Sequence, residues 1–219
     1  MRKCVARFGL AMVLAFAGCA TPPPEPRNLS DLKAEILRYV DSGEYARQIV
    51  PVAAEAKVWL EQRAARKGTE ERLAVIFDVD ETLLSNLPSM RREDFGYVPK
   101  VWDAWVDEAR APAIEPVREV YRTARRLGMA VFLITGRGEN VRDGTVRNLA
   151  AVGCGEYEAL ICKPVGETRT SGEFKLAERR RIAADGYVIV ANIGDQQSDF
   201  FGGASERAFK LPAPFYRTQ

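Results

Sequence analysis

Residues 73–82 read Leu73-Ala74-Val75-Ile76-Phe77-Asp78-Val79-Asp80-Glu81-Thr82, five apolar residues running without a break into two aspartates. An unbroken apolar run of this length predicts a strand buried on both faces, which a parallel sheet covered by helices provides. Three further runs follow: Ala130 to Ile134, Ala159 to Ile161, and Tyr187 to Ile193. Between them Val117 to Arg126, Glu139 to Val152 and Ser171 to Ala184 read as helices, with Gly128, Gly153 and Gly186 just past their ends. Thr170 and Glu173 have the spacing of a capping box that opens the last of these. Strands alternating with helices predict an α/β fold.

Ahead of the first strand, Ser30 to Val40 and Ala46 to Arg66 carry helical periodicity, with Ile49, Val52, Ala53, Ala56 and Leu60 on one face of the second. Pro51 is expected in a first turn or at a kink, not in mid-helix. The connection from Phe77 to Ala130 is about fifty residues, far more than a crossover needs. Residues 86–113 are therefore expected to form a small cap insertion after the first strand. It carries Phe95, Tyr97, Trp102 and Trp105, the two tryptophans as cap core or as a stacking platform.

The strand ends carry the chemistry. They run into Asp78-x-Asp80-x-Thr82, Thr135-Gly136-Arg137 and Gly194-Asp195-x-x-x-Asp199. In a parallel sheet these ends share one edge, where open α/β folds bind ligands. Asp78, Asp80, Asp195 and Asp199 brought together would repel, and a hard divalent cation with oxygen ligands is the usual remedy. The chain has no His, which excludes Ser-His-Asp triads, Cys-His dyads and His-ligated zinc. Arg137 at the same edge serves a salt link or the substrate. Arg179-Arg180-Arg181 reads as a solvated helix face.

These motifs, with Lys175, resemble the four motifs of haloacid-dehalogenase-superfamily phosphatases. Phe77 to Asn86, the Trp105 segment with Ala111-Pro112-Ala113, Leu133 to Arg137 and Phe209-Lys210-Leu211-Pro212 resemble the class B branch of plant- and bacterial-type acid phosphatases. The resemblance runs over residues 30–216 and implies a Rossmann-like parallel sheet flanked by helices. It also implies roles. Asp78 would be the nucleophile that forms an aspartyl-phosphate, and Asp80 the acid for the leaving alcohol and then the base for water. Thr135 and Lys175 would hold the phosphoryl oxygens, Lys175 being favoured over Lys163 at the end of the third strand. Asp78, the Asp80 carbonyl and Asp195 would hold Mg2+, with Asp199 supporting it through water.

The N-terminus reads as a secretory signal: Arg2, Lys3 and Arg7 precede an apolar run from Phe8 to Ala17, too short to span a membrane. Phe16-Ala17-Gly18-Cys19 resembles a bacterial lipobox, with Cys19 as the lipidated residue and ordinary cleavage after Ala17 as the rival. Residues 19–28, with Pro22, Pro23, Pro24 and Pro26, would be an extended tether to a domain over 29–219. Removing residues 1–18 takes away three basic residues and no acid, so the net charge goes from +2 to −1. That balance argues against a nucleic-acid polymer as partner. Cys154 and Cys162 could pair in an oxidising periplasm or remain buried thiols.

The expected protein is an acid phosphatase on small phosphomonoesters, nucleotides among them, facing the periplasm from a lipid anchor in the outer membrane. A non-catalytic lipoprotein, a binding or storage-type module on the same fold, is the alternative.

Overall fold

Side chains alternate along the first strand, and the two sets go to different cores. In the computed structural model, which describes residues 25–218, β1 spans Arg72–Phe77. Leu73, Val75 and Phe77 join a large cluster with Val131, Leu133, Val190 and Ile193, whereas Ala74 and Ile76 join a smaller one with Phe132, Ile134 and Ile189. This is the period of two that a pleated strand imposes. Each fully buried aliphatic or aromatic side chain contributes roughly 1.5–3 kcal/mol, so both faces favour the same sandwich.

The sheet holds β1, β2 (Ala130–Gly138), β3 (Ala159–Lys163), β4 (Tyr187–Gly194) and β5 (Ala208–Lys210) in the order β3-β2-β1-β4-β5, all parallel. β5 was not legible beforehand, because three residues carry no periodicity. Its register on Asn192, Ile193 and Gly194 creates it.

The larger core receives α2 (Glu44–Ala65) through Ile49, Ala53, Ala56 and Leu60, and α5 (Glu115–Arg126) through Val117, Val120, Tyr121 and Ala124. Trp59 Nε1 ties α2 to β4 by donating to the Val190 carbonyl at 2.8 Å. α7 (Ser171–Ala184) covers the other face with Phe174 and Ile182, and opens with the Thr170–Glu173 capping box. α1 (Leu29–Asp41) packs on α2.

Three local expectations are corrected. Pro51 lies inside α2, not in its first turn. It sits on the exposed side with Arg47, whose carbonyl loses its helical donor and can bond to water instead. The helix expected from Glu139 begins at Arg142 (α6, Arg142–Ala151), after β2 has run on to Gly138 and a single 3-10 turn. Arg179 is not solvated but fully buried. Cys154 and Cys162 are both free and buried, and burial pushes each thiol up to about 11.

Residues 86–113 contain two short helices, α3 (Leu87–Arg92) and α4 (Pro99–Glu108). A Cβ on Gly144 of α6 would lie 2.5 Å from the Val106 carbonyl oxygen and 2.9 Å from the Asp107 Cα. The two helices therefore meet backbone to backbone, and Gly144→Ala is expected to cost about 1–3 kcal/mol in urea unfolding. An unchanged midpoint would mean that α4 is not fixed by this contact. Among the described residues no helix is long and apolar enough to cross a membrane, and residues 1–18 with Cys19 lie outside them.

Candidate active site

The parallel sheet delivers Asp78, Thr135 and Asp195 to one edge, as strand direction requires. Asp78 follows β1, its N–H donating to the Ile193 carbonyl of β4 at 2.9 Å. Asp195 follows β4, and Asp199 closes a 3-10 turn just after it. Gly194 admits this turn. A Cβ there would sit 2.2 Å from Asp199 Oδ2, so any other residue would displace that carboxylate.

Asp78, Asp195 and Asp199 each offer a carboxylate oxygen within 4.8 Å of the others, and all three are buried. Lys175, from the first turns of α7, donates from Nζ to Asp78 Oδ1 at 2.5 Å and Asp199 Oδ1 at 2.6 Å. Lys163 ends β3 and is not among the residues lining the adjoining cavity, whereas Lys175 is. Asp80 stands apart. Its carboxylate lies outside the cluster and pairs with Arg137. Thr135 is fully buried, its Oγ1 accepting from the Arg137 backbone N–H at 3.1 Å.

Burial sets the protonation. It pushes Asp78 up to about 7, with Lys175 opposing and the charges of Asp199 and Asp80 adding to the rise. Burial likewise holds Asp195 well above the carboxylate range, helped by Asp78 and Asp199. For Lys175 burial favours loss of the proton, but Asp199 and Asp78 together outweigh it and hold its pKa above the ordinary value. Asp195 Oδ2 accepts from Gln196 Nε2 at 2.6 Å, while its Oδ1 is buried with no hydrogen-bond partner among the described residues. A buried carboxylate oxygen left without a donor, facing two more acids, suits a divalent cation.

Several residues escaped the sequence reading. Arg179, one turn beyond Lys175 on α7, donates to the carbonyls of Asp199 at 2.6 Å, Phe201 at 2.5 Å and Gly203 at 2.9 Å. It holds the loop that carries Asp199, and burial lowers it to about 10. Its spacing of four from Lys175 was the available signal, since such residues share a helix face. Glu81 is buried at φ 51°, a left-handed conformation that strains a non-glycine residue. Asn86 holds it there, the backbone N–H donating to Oε1 at 2.6 Å and Nδ2 to Oε2 at 3.1 Å. Burial, then the charge of Asp80, raises Glu81 to about 8.

A cavity of about 470 Å3 adjoins this edge, within the range of small-molecule sites. Asp78, Asp80 and Lys175 line it together with Phe95, Tyr97 and Trp102 from the insertion and Phe215 and Tyr216 from the C-terminal segment. That segment is tied down where Gln196 Oε1 accepts from the Thr218 N–H at 3.2 Å. Trp105 is buried and does not line the cavity.

Comparison with known proteins identifies the family. Residues 24–219 match the family described as HAD superfamily, subfamily IIIB (Acid phosphatase). Acid phosphatase 1 of Solanum lycopersicum is 37% identical over 190 residues, which is 84% of this chain and 68% of that one. Vegetative storage protein 1 of Arabidopsis thaliana is 34% identical over 145 residues, 64% of this chain and 54% of that one. The class C acid phosphatase from Bacillus anthracis shares the fold with a TM-score of 0.71 at 24% identity, over 85% of this chain and 86% of that one. The chain belongs to the acid phosphatases of the HAD superfamily, subfamily IIIB.

Proposed function

We propose that the chain is a Mg2+-dependent phosphomonoesterase that works through an aspartyl-phosphate on Asp78. The observation that carries this reading is the placing of Asp78 beside a buried lysine and two further buried acids at a cavity, with Asp80 held separately two residues on. Asp78 attacks phosphorus, and Asp80 protonates the departing alkoxide. Asp80 then takes a proton from the water that releases phosphate. Lys175 and the Thr135 hydroxyl hold the phosphoryl oxygens, where negative charge spreads in the transition state.

The partnerless Asp195 oxygen and the clustered acids support a divalent ion held by Asp78, the Asp80 carbonyl and Asp195, with Asp199 acting through water. When bound, Mg2+ would offset the charge of the phosphoryl group and orient it for in-line attack. The aromatic lining suits small phosphomonoesters with a flat leaving group, nucleotides among them. Lipidation at Cys19 would tether the enzyme to the outer membrane, facing the periplasm. Storage-protein names among the relatives favour one rival, a protein of the same fold that turns nothing over.

The test is hydrolysis of a chromogenic aryl phosphate from acid to mildly alkaline pH, which should stop with a chelator and return with Mg2+. A folded protein inactive on aryl, nucleotide and sugar phosphates would favour the storage reading. Thermal unfolding gives a second readout. Because burial raises Asp78 and Asp195, their ionised forms are disfavoured in the fold, while the unfolded chain ionises near pH 4. The chelated protein should therefore lose stability as pH rises from about 4 through about 7. Mg2+ binds the ionised carboxylates, so its stabilising effect should grow over the same interval. A Mg2+ effect that does not depend on pH would place the ion elsewhere.

A further inference from the structure

Arg137 is a buried cation whose every side-chain nitrogen is committed, and most of the commitment goes to one atom. Its Nε and Nη2 donate to Asp80 Oδ1 at 2.9 and 2.7 Å. Asn86 Nδ2 adds a third donor to the same oxygen at 2.8 Å. Among the described residues the other carboxylate oxygen, Oδ2, has only Arg137 Nε at 3.3 Å. An oxygen that already accepts three hydrogen bonds has no capacity for a proton, so protonated Asp80 carries its hydrogen on Oδ2.

The supports are themselves supported. Arg137 Nη1 donates to Thr145 Oγ1 of α6 at 3.1 Å, which sets the plane of the guanidinium from its far side. The Trp102 ring of α4 lies 5.6 Å from Arg137 Cζ. Trp105, three residues along the same helix, donates from Nε1 to Asn86 Oδ1 at 2.9 Å, which orients the Asn86 amide so that its Nδ2 faces Asp80. The insertion thus reaches Arg137 through Trp102, and both supplies and orients Asn86.

We propose that Arg137 is a positioning residue that fixes Asp80 so that Oδ2 is the atom through which protons pass. The inference rests on the phosphatase reading above. In the first half-reaction an Asp78 oxygen bonds to phosphorus as the ester P–O bond breaks. The electron pair of that bond stays with the leaving oxygen, which takes the proton from Oδ2. In the second, water attacks phosphorus and gives a proton to Oδ2, releasing inorganic phosphate and the Asp78 carboxylate. Lysine could supply the charge of Arg137 but not two parallel N–H donors on one oxygen.

The leaving group provides the test, because p-nitrophenolate departs without a proton and a simple alkoxide does not. We would measure kcat/KM for p-nitrophenyl phosphate and for an alkyl phosphate in the wild type, Arg137→Lys, Asp80→Asn and the double variant. Arg137→Lys should lose about 10- to 100-fold more on the alkyl than on the aryl substrate, part of the roughly 10²–10⁴-fold that general acid catalysis supplies. In the Asp80→Asn background the same substitution should leave the alkyl-to-aryl ratio unchanged, since the group it acts through is gone. Equal losses on both substrates, or a ratio that falls again in the double variant, would overturn the proposal and leave Arg137 a structural ion pair. If Arg137→Lys does not fold, Asn86→Ser removes one donor to Oδ1 and should lower the ratio in the same direction. An unchanged ratio there would also overturn it. A wild type inactive on both substrates would instead overturn the phosphatase reading, and this inference with it.

Discussion

Asp78→Asn is expected to lower the turnover of every phosphomonoester by at least ~10⁴-fold while leaving the protein folded. The amide has nearly the shape of the carboxylate but no charged oxygen to bond to phosphorus, so the intermediate cannot form. Folding should survive for an electrostatic reason. The Asp78 carboxyl is raised to about 7 by burial, so above that pH its charge is a cost that the amide avoids. Lys175 keeps Asp199 as a partner at 2.6 Å. The midpoint of thermal unfolding at pH 8 is therefore expected to match or exceed that of the wild type. Activity within tenfold of wild type would show that water attacks the substrate directly and that Asp78 serves only to bind.

Removing the lysine should do the opposite and cost both stability and activity. Lys175→Met leaves the Asp78 and Asp199 carboxylates buried without their shared cation, a loss of about 3–5 kcal/mol by analogy with broken buried ion pairs. The pH dependence follows from the signs. Lys175 titrates above its ordinary value, so it stays protonated below about 10.5 and its own titration adds no pH dependence between pH 5 and 8. Asp78, raised to about 7, is protonated at pH 5, which leaves fewer buried charges to compensate. Urea unfolding should show a larger loss at pH 8 than at pH 5, and excess Mg2+ should restore part of it at pH 8. Turnover should fall by about 10²–10³-fold as one stabiliser of transition-state charge is lost. Equal stability of variant and wild type at pH 8 would mean that Lys175 does not neutralise the cluster.

The α/β class and four of the five described strands were legible because a doubly covered parallel strand needs an unbroken apolar run, and such runs are local. The acids at their ends were legible for a related reason. Parallel strands must end on one edge, so Asp78, Asp80, Asp195 and Asp199 could be placed near one another from order alone. The Thr170–Glu173 box was readable because it is closed within four residues. What the sequence could not decide was which partner each charge takes across long separations. Lys175 and Asp78 are 97 residues apart, and Arg137 and Asp80 are 57 apart. Both pairings depend on how α7 and β2 pack beside β1. The burial of Arg179 has the same origin: three basic residues in a row look solvated until the loop after Asp199 turns three carbonyls toward one of them. Strand β5 and the C-terminal wall of the cavity exist only because β4 offers a free edge and Gln196 a binding point. Local periodicity therefore determined the scaffold and the edge where chemistry could sit. Tertiary packing determined the electrostatics there, because desolvation and charge pairing depend on what surrounds a group in space and not on its neighbours in the chain.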